Sequence, residues 1–160
     1  MKKILWLLLV VIPAISFAED GPHYDRTKVG VNFLTMMVLG DVNFQYERQI
    51  AKQVAIAGSY HYLTGSSVID GLESSGMRLS LGGRAYVRQD LMGSFFEFKL
   101  GNNFLTDKDQ EYGGFTAETY FGVSDGYNEL VYYEGKIGVL RYLSQPKMAP
   151  GVSITVGMYF

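Results

Sequence analysis

The chain has 160 residues, a net charge of −2 at pH 7 and no cysteine. This length suits one domain, the lack of cysteine excludes disulfides and thiolate metal sites, and the slight acidic excess offers no basic face for nucleic acid. The 19 glycines, 12 tyrosines and 10 phenylalanines favour a β-protein with tight turns and many aromatic positions.

The first 18 residues have the pattern of a cleaved secretory signal. Lys2-Lys3 is a short basic region, an apolar run extends from Ile4 to Ile15, and Ser16-Phe17-Ala18 supplies small residues where a signal peptidase would cut. The apolar run is short against the roughly 20 residues of a membrane-spanning helix. We therefore predict a signal peptide at 1–18 and one mature domain at 19–160.

Eight stretches of the mature chain alternate apolar and polar residues with a period of two, which is typical of β-strands. Each is about ten residues long, the length that a tilted strand needs to cross the hydrocarbon core of a membrane. The stretches are Lys28–Val38, Gly40–Ile50, Val54–Leu63, Gly76–Arg88, Ser94–Phe104, Phe115–Val123, Leu130–Leu143 and Gly151–Phe160. Phe115–Val123 has the weakest pattern, and we retain it because an even count returns both chain ends to one side.

Polar and glycine-rich segments separate these strands. We predict tight turns at Ala51–Gln53 and Gln89–Gly93, and longer surface loops at Thr64–Ser75 and Thr106–Gly114. The second loop contains Asp107-Lys-Asp109-Gln-Glu111, which alternates acids as calcium loops do but lacks the turn glycine and the remaining ligands. We therefore expect neither a metal nor another cofactor.

The terminal strand carries the most specific pattern of the chain. One face consists of apolar residues, and the chain ends on an aromatic residue of that face; the members are Val152, Ile154, Val156, Met158 and Phe160. Here the sequence resembles bacterial outer-membrane β-barrel proteins, whose last strand ends in an aromatic residue that the barrel assembly machinery recognises. The resemblance implies that these five residues form the assembly signal.

Other segments extend this resemblance. Val29-Gly-Val-Asn-Phe33 followed by Tyr46-Glu-Arg48, and Gly83-Arg-Ala-Tyr86 before a turn, resemble small eight-stranded outer-membrane barrels, a set that includes the OmpA-type transmembrane domain and opacity-type surface proteins. The resemblance implies an all-β, antiparallel, up-and-down transmembrane barrel in a Gram-negative outer membrane, with lipids as its partners, short periplasmic turns and longer surface loops. It does not imply one activity, because fold does not determine function.

The direction of the two strand faces distinguishes a membrane barrel from a soluble lipocalin-like lipid carrier. Large apolar residues occupy one face of nearly every strand without charges in mid-strand, while the other face mixes small residues with charges. We therefore predict that the apolar face points outward, into lipid. Tyr132-Tyr133 and Tyr60–Tyr62 are then interpreted as girdle tyrosines at the lipid interface rather than as a carbohydrate platform.

The polar faces contain four acids and four bases, which are candidates for ion pairs inside the barrel: Glu47, Glu97, Glu118 and Glu134 with Arg78, Arg84, Lys99 and Lys136. An eight-stranded lumen is just wide enough for side chains to fill it, and a buried charge without a partner costs several kcal/mol. We predict a closed, ion-paired interior. The alternative is a gated ion path along the same residues.

Catalytic candidates are sparse. His23 and His61 are the two histidines, and Ser59 shares a predicted face with His61. A lipid hydrolase resembling lipid A deacylases would need a serine, a histidine base and a carboxylate, but a spacing of two along one strand separates Ser59 from His61. We predict a monomeric, non-enzymatic barrel with a structural or surface-interaction role through its loops and an unknown surface ligand. The hydrolase and the soluble carrier are the alternatives.

Overall fold

A computed structural model describes residues 26–39, 41–64, 75–88, 91–107, 110–127, 130–144 and 148–160. The predicted signal peptide and the middle of the predicted loop at Thr64–Ser75 lie outside the described residues. Eight antiparallel strands form a closed barrel in which each strand pairs with the next and the last pairs with the first. The predicted all-β, eight-stranded, up-and-down barrel is confirmed.

The strands follow the order of the chain around the barrel. They are β1 (Thr27–Asn32), β2 (Asp41–Ala51), β3 (Val54–Thr64), β4 (Ser75–Tyr86), β5 (Gly93–Asp107), β6 (Gln110–Gly126), β7 (Val131–Tyr142) and β8 (Met148–Tyr159). Phe115–Val123, the weakest predicted strand, lies within β6, which is the longest strand with 17 residues. Its pattern is weak because Ala117 and Thr119 stand on the outward face and the aromatic Tyr120 stands on the inward face.

The first predicted strand, Lys28–Val38, is wrong in its second half. The strand ends at Asn32, and a short helix, α1 (Phe33–Leu39), follows. The Asn32 side-chain oxygen accepts a hydrogen bond from the Thr35 amide at 3.3 Å, which is the geometry of a helix N-cap. Among the described residues, no helix is long and apolar enough to cross a membrane.

The predicted surface loop at Thr106–Gly114 is also wrong. Strand β5 continues to Asp107 and β6 begins at Gln110, and the two residues pair with each other. A polar segment favours a loop in the sequence, but two strands of one hairpin can remain paired without an apolar face. The eighth strand likewise begins at Met148, three residues before the predicted start at Gly151.

Inside the barrel, backbone and side chains approach so closely that some positions accept only glycine. A Cβ atom at Gly30 would overlap the Tyr132 hydroxyl, and one at Gly151 would lie 2.5 Å from the Tyr120 ring. These glycines leave the room that the inward tyrosine rings occupy.

Candidate functional site: the charged interior

The two ends of the barrel differ. One end carries the Lys52–Gln53 turn, the β4–β5 and β6–β7 connections and both ends of the described chain, and we name it the turn end. The other carries α1 and the β3–β4, β5–β6 and β7–β8 connections, and we name it the loop end.

The inner face of the barrel carries the buried charge. It holds all eight charged residues selected from the sequence: seven are at most 5% exposed, and the Arg78 side chain is 15% exposed. Lys28 and Asp41, which were not selected, are buried on the same face. The described interior therefore contains five acids and five bases, and its formal charges balance when His61 is neutral.

Arg84 is the centre of the largest group of ion pairs. Its Nη1 donates to Glu47 Oε2 at 2.8 Å and to Glu134 Oε2 at 2.5 Å, and its Nε donates to Glu97 Oε2 at 2.8 Å. A second donation, from Nη2 to Glu97, makes the Arg84–Glu97 contact bifurcated. One guanidinium thus binds three carboxylates from β2, β5 and β7 and joins strands on opposite sides of the lumen.

Two lysines balance the remaining charge of this group. Lys136 Nζ lies 2.9 Å from Glu97 Oε1, and Lys99 Nζ lies 3.1 Å from the same oxygen. Lys99 Nζ also lies 3.6 Å from Glu118 Oε2 and donates to the Ser59 hydroxyl at 3.0 Å. We name Arg84, Glu47, Glu97, Glu134, Lys99 and Lys136 the central cluster.

The central cluster is stable because each of its buried charges has an oppositely charged partner. Desolvating several charges is expensive, and the attraction between them offsets this only when every member has good partners. Within the described residues, each carboxylate of the cluster has at least one cation within 4.0 Å. Loss of Arg84 would remove the nearest cation from both Glu47 and Glu134.

A second group closes the turn end. Lys28 Nζ donates to the Leu91 carbonyl at 2.5 Å, to Ser124 Oγ at 2.8 Å and to the Tyr86 hydroxyl at 3.1 Å. Leu91 belongs to the β4–β5 connection, is fully buried and has a left-handed backbone with φ of 57°. The Tyr86 hydroxyl donates to Glu47 Oε2 at 2.9 Å and links this turn-end group to the central cluster.

Three tyrosine rings surround the Lys28 ammonium. Their centroids lie 5.0 Å (Tyr86), 4.9 Å (Tyr132) and 5.4 Å (Tyr159) from Nζ, within the range of cation–π attraction. The interpretation of Tyr132 as a girdle residue is therefore wrong, because its ring is inside the barrel. Its neighbour Tyr133 and the more distant Tyr62 are exposed on the outer face.

A third group of charged residues crosses the lumen near the loop end. His61 Nδ1 lies 3.0 Å from Asp41 Oδ2, Arg78 Nη2 lies 3.1 Å from both ring nitrogens of His61, and Arg78 Nε lies 3.3 Å from Glu118 Oε1. We name Asp41, His61, Arg78 and Glu118 the mouth chain. It joins β2, β3, β4 and β6.

A cavity of about 160 Å³ adjoins the mouth chain, and its wall includes all four members. Asp41 Oδ1, Asn43 Oδ1 and both Glu118 carboxylate oxygens are buried without a hydrogen-bond partner among the described residues. A water needs only about 10–15 Å³ of such space and two or more polar partners. The cavity therefore has room and unsatisfied acceptors for several ordered waters.

Among the described residues, Ser59 and His61 do not form a hydrogen-bonded pair. Ser59 Oγ lies 2.6 Å from Ser80 Oγ and accepts from Lys99, while His61 contacts Asp41 and Arg78. Both residues are buried on the inner face. A hydroxyl is therefore not placed on the imidazole, which is the contact that a histidine base needs.

Three interior residues are absent from the sequence-based prediction, and the sequence carries a signal for two of them. Lys28 and Asp41 continue the polar faces of β1 and β2, so strict alternation could have identified both. Leu91 had no such signal, because it lies in a connection and its inward direction depends on the left-handed backbone and on Lys28.

The outer face has the opposite composition. Large apolar side chains on every strand are exposed, including Leu81, Phe98, Phe121 and Ile137. The five residues of the predicted assembly signal, Val152, Ile154, Val156, Met158 and Phe160, lie on this face with 40–71% of their surface exposed. The barrel is therefore polar inside and apolar outside.

Fold and interior together define a small eight-stranded barrel of the outer-membrane type. Among solved structures, the chain is similar to the crystal structure of the N-terminal β-barrel domain of Pseudomonas aeruginosa OprF, with a TM-score of 0.64 over 84% of this chain and 96% of that chain. The identity is 13%, so the likeness is one of fold alone. No family model matches the sequence, and no curated protein matches it.

Proposed function

We propose that this chain is a monomeric outer-membrane protein of a Gram-negative envelope. Its barrel spans the bilayer, its interior is closed by ion pairs, and its loop end faces the outside and serves envelope integrity or surface interaction. Residues 1–18 act as the secretory signal, and Phe160 with the apolar face of β8 is read by the barrel assembly machinery. We further propose that the chain is related to the small eight-stranded outer-membrane barrels that include the OmpA-type transmembrane domain and opacity-type surface proteins.

The polarity of the barrel carries this proposal. A soluble up-and-down barrel buries its apolar face in the lumen, whereas a membrane barrel presents that face to lipid. Leu81 and Ile137 are more than 60% exposed, while Glu97 and Glu118 are fully buried. An apolar outer surface of this extent would aggregate in water, so lipid is the solvent that fits it.

The closed interior is supported by the central cluster and by the group around Lys28 at the turn end. Arg84 binds carboxylates from three strands, and Lys28 with Leu91 fills the turn end. An open ion path would need a continuous file of water past both clusters. Eight strands leave little space beyond that taken by side chains.

The surface role is supported by the shape of the loop end. The hairpin of β5 and β6 continues beyond the end of β7, because Thr116 pairs with Tyr142 while the segment from Gln110 to Phe115 extends past it. This raised hairpin and the connection between β3 and β4 are the parts that would contact a ligand or another envelope component.

Charge placed on the outer face tests the proposal directly. Leu81→Arg puts a cation in the middle of β4, and Val87→Arg puts the same cation just beyond its end, where the side chain is also exposed. In a bilayer the first should lower the free energy of unfolding by about 2–4 kcal/mol and the second by about 0–1 kcal/mol. Equal effects in lipid vesicles, or recovery of wild-type protein in the soluble periplasmic fraction, would reject the membrane assignment.

The closed interior and the absence of catalysis need separate measurements. Planar bilayers containing the wild-type protein should show no sustained ion conductance, and stable channels would instead support the gated path. Lipid A from cells with and without the protein should have the same acylation pattern by mass spectrometry. An acyl chain lost only with intact His61 would establish the hydrolase.

A further inference from the structure

The outer face of the barrel carries a groove that the packing of the interior does not explain. Its volume is about 920 Å³, within the range of about 300–1,000 Å³ that ligand sites occupy. The groove crosses β4, β5 and β6 and ends at the residues that follow β7. We name as the outer groove the surface formed by five exposed apolar side chains: Leu79, Leu81, Leu100, Phe115 and Leu143.

Asn102 is a polar residue within the apolar wall of this groove. Along β5 it lies between Leu100 and Phe104, which are exposed on the outer face. On the neighbouring strands it lies opposite Leu79 and Phe115. Its side-chain amide makes no hydrogen bond with the described residues. An amide without a partner is unfavourable in lipid, so the groove favours an occupant that supplies one.

The outer groove has a polar end and an apolar end. At the loop end it reaches Ser144, which is exposed and lies beside Gly114: a Cβ atom at Gly114 would be 2.6 Å from Ser144 Oγ. Toward the middle of the barrel, its wall consists of Leu81 and Leu100. The groove therefore has the polarity of an amphiphile whose head faces the loop end and whose chain points to the middle of the barrel.

A cation lies beside the groove on the same outer face. Arg141 is two residues before Leu143, and it pairs with Ala117, which pairs in turn with Leu100. The Arg141 side chain is exposed and forms no ion pair or hydrogen bond with the described residues. A long arginine side chain on a lipid-facing surface extends its guanidinium to the headgroup region, and the planar guanidinium matches the geometry of a phosphate group. The charge beside the groove is thus complementary to an anionic head.

We propose that the outer groove binds one lipid with an anionic phosphate headgroup. Arg141 binds the phosphate, Asn102 Nδ2 donates a hydrogen bond to the carbonyl oxygen at the start of an acyl chain, and the leucines of the groove contact the chain itself. A second copy of the barrel is a poorer occupant, because a two-fold dimer brings the same surface of both chains together and two concave surfaces leave a void. The inference rests on the proposed function, since a lipid reaches the groove only if the outer face lies in a membrane.

Native mass spectrometry of the folded protein in detergent tests the role of Arg141. The probes are phosphatidylglycerol, which is anionic, and phosphatidylcholine with the same acyl chains, which is zwitterionic. We expect one retained lipid per chain and a preference for phosphatidylglycerol of roughly fivefold, the factor for one basic side chain near an anionic headgroup. Arg141→Gln should abolish this preference. Arg48→Gln, which removes an exposed arginine from the outer face at the turn end, is the matched control and should retain it.

Phosphatidylglycerols with ester-linked or ether-linked chains test the role of Asn102, because the ester has a carbonyl oxygen for the amide and the ether has none. The wild type should retain the ester-linked lipid in preference to the ether-linked one, and Asn102→Leu should retain both equally. Thr119→Val removes a polar group from the outer face of β6 outside the groove and should keep the wild-type preference.

Three results would each overturn the proposal: loss of the phosphatidylglycerol preference in Arg48→Gln, an ester preference that survives in Asn102→Leu, or folded wild-type protein that retains neither lipid. A mass of two chains without lipid would assign the groove to a second copy and would overturn it as well. Insertion into lipid vesicles separates this site from the proposed function. Wild-type protein that does not insert refutes the membrane assignment, whereas protein that inserts without the lipid preference refutes the outer groove as a lipid site and nothing else.

Discussion

Arg84 and Glu97 lie opposite each other on β4 and β5, and the guanidinium donates to one Glu97 oxygen through both Nε and Nη2. The other Glu97 oxygen contacts Lys99 and Lys136. Through this one cross-strand pair, the cations of three strands share a carboxylate that is fully buried. Glu97 is therefore both the cross-strand partner of Arg84 and the carboxylate that balances the charge of three buried cations.

Arg84→Ala should strongly destabilise the barrel. It leaves Glu47 and Glu134 without their nearest cation in a confined lumen, and breaking a buried pair on one side costs about 3–5 kcal/mol. Arg141→Ala, which removes an exposed arginine from β7, should change stability by about 0–1 kcal/mol. Unfolding in urea from lipid vesicles measures both, and equal losses would contradict the central cluster as described.

Lys28→Met should loosen the turn end of the barrel. Methionine keeps much of the volume but removes three hydrogen bonds from a charged donor, each worth about 1.5–3 kcal/mol. We expect lower stability and faster amide hydrogen exchange at Val87, whose amide bonds to the Ser94 carbonyl across the β4–β5 connection. The same change at the exposed Lys52 is the control; if it speeds exchange at Val87 equally, the role given to Lys28 is wrong.

The orientation in the membrane can be read with single cysteines, since the natural sequence has none. Ser144 is exposed at the loop end and Lys52 is exposed at the turn end. Ser144→Cys should react with an impermeant maleimide on intact cells, and Lys52→Cys should react only after the outer membrane is opened. The reverse labelling pattern would place the turn end outside.

Phe160→Ala should lower the yield of assembled barrel. The substitution removes the terminal aromatic residue of the apolar β8 face, while Phe160 N and O would keep their hydrogen bonds with Thr27. Tyr127→Ala removes another exposed aromatic residue at the same end and should leave the yield unchanged. Heat-modifiable protein in outer-membrane fractions measures assembly, and a normal amount in Phe160→Ala would count against the assembly signal.

Local alternation accounts for most of what could be predicted from the sequence. Because side chains on a strand point alternately to two faces, the polar positions 78, 84, 97, 99, 118, 134 and 136 could be assigned to one face without knowledge of their partners. The number of strands followed in the same way, and their up-and-down order was implied by the resemblance to small outer-membrane barrels. The period-two pattern gave a wrong prediction at α1, where strand changes to helix within a few residues. It also gave a wrong prediction at the β5–β6 hairpin, where both faces are polar.

The partners of these residues were decided by closure of the barrel. Pairing of β8 with β1 brings Glu47 of β2 and Glu134 of β7 to the same guanidinium, although they are 87 positions apart in the printed sequence. The contact of Lys28 with Leu91 depends on the same closure, whereas His61 lies between Asp41 and Arg78 because β2, β3 and β4 are neighbouring strands. Alternation is a property of one strand and is visible in the sequence, whereas a contact across the lumen depends on the register of all eight strands and exists only in the closed barrel.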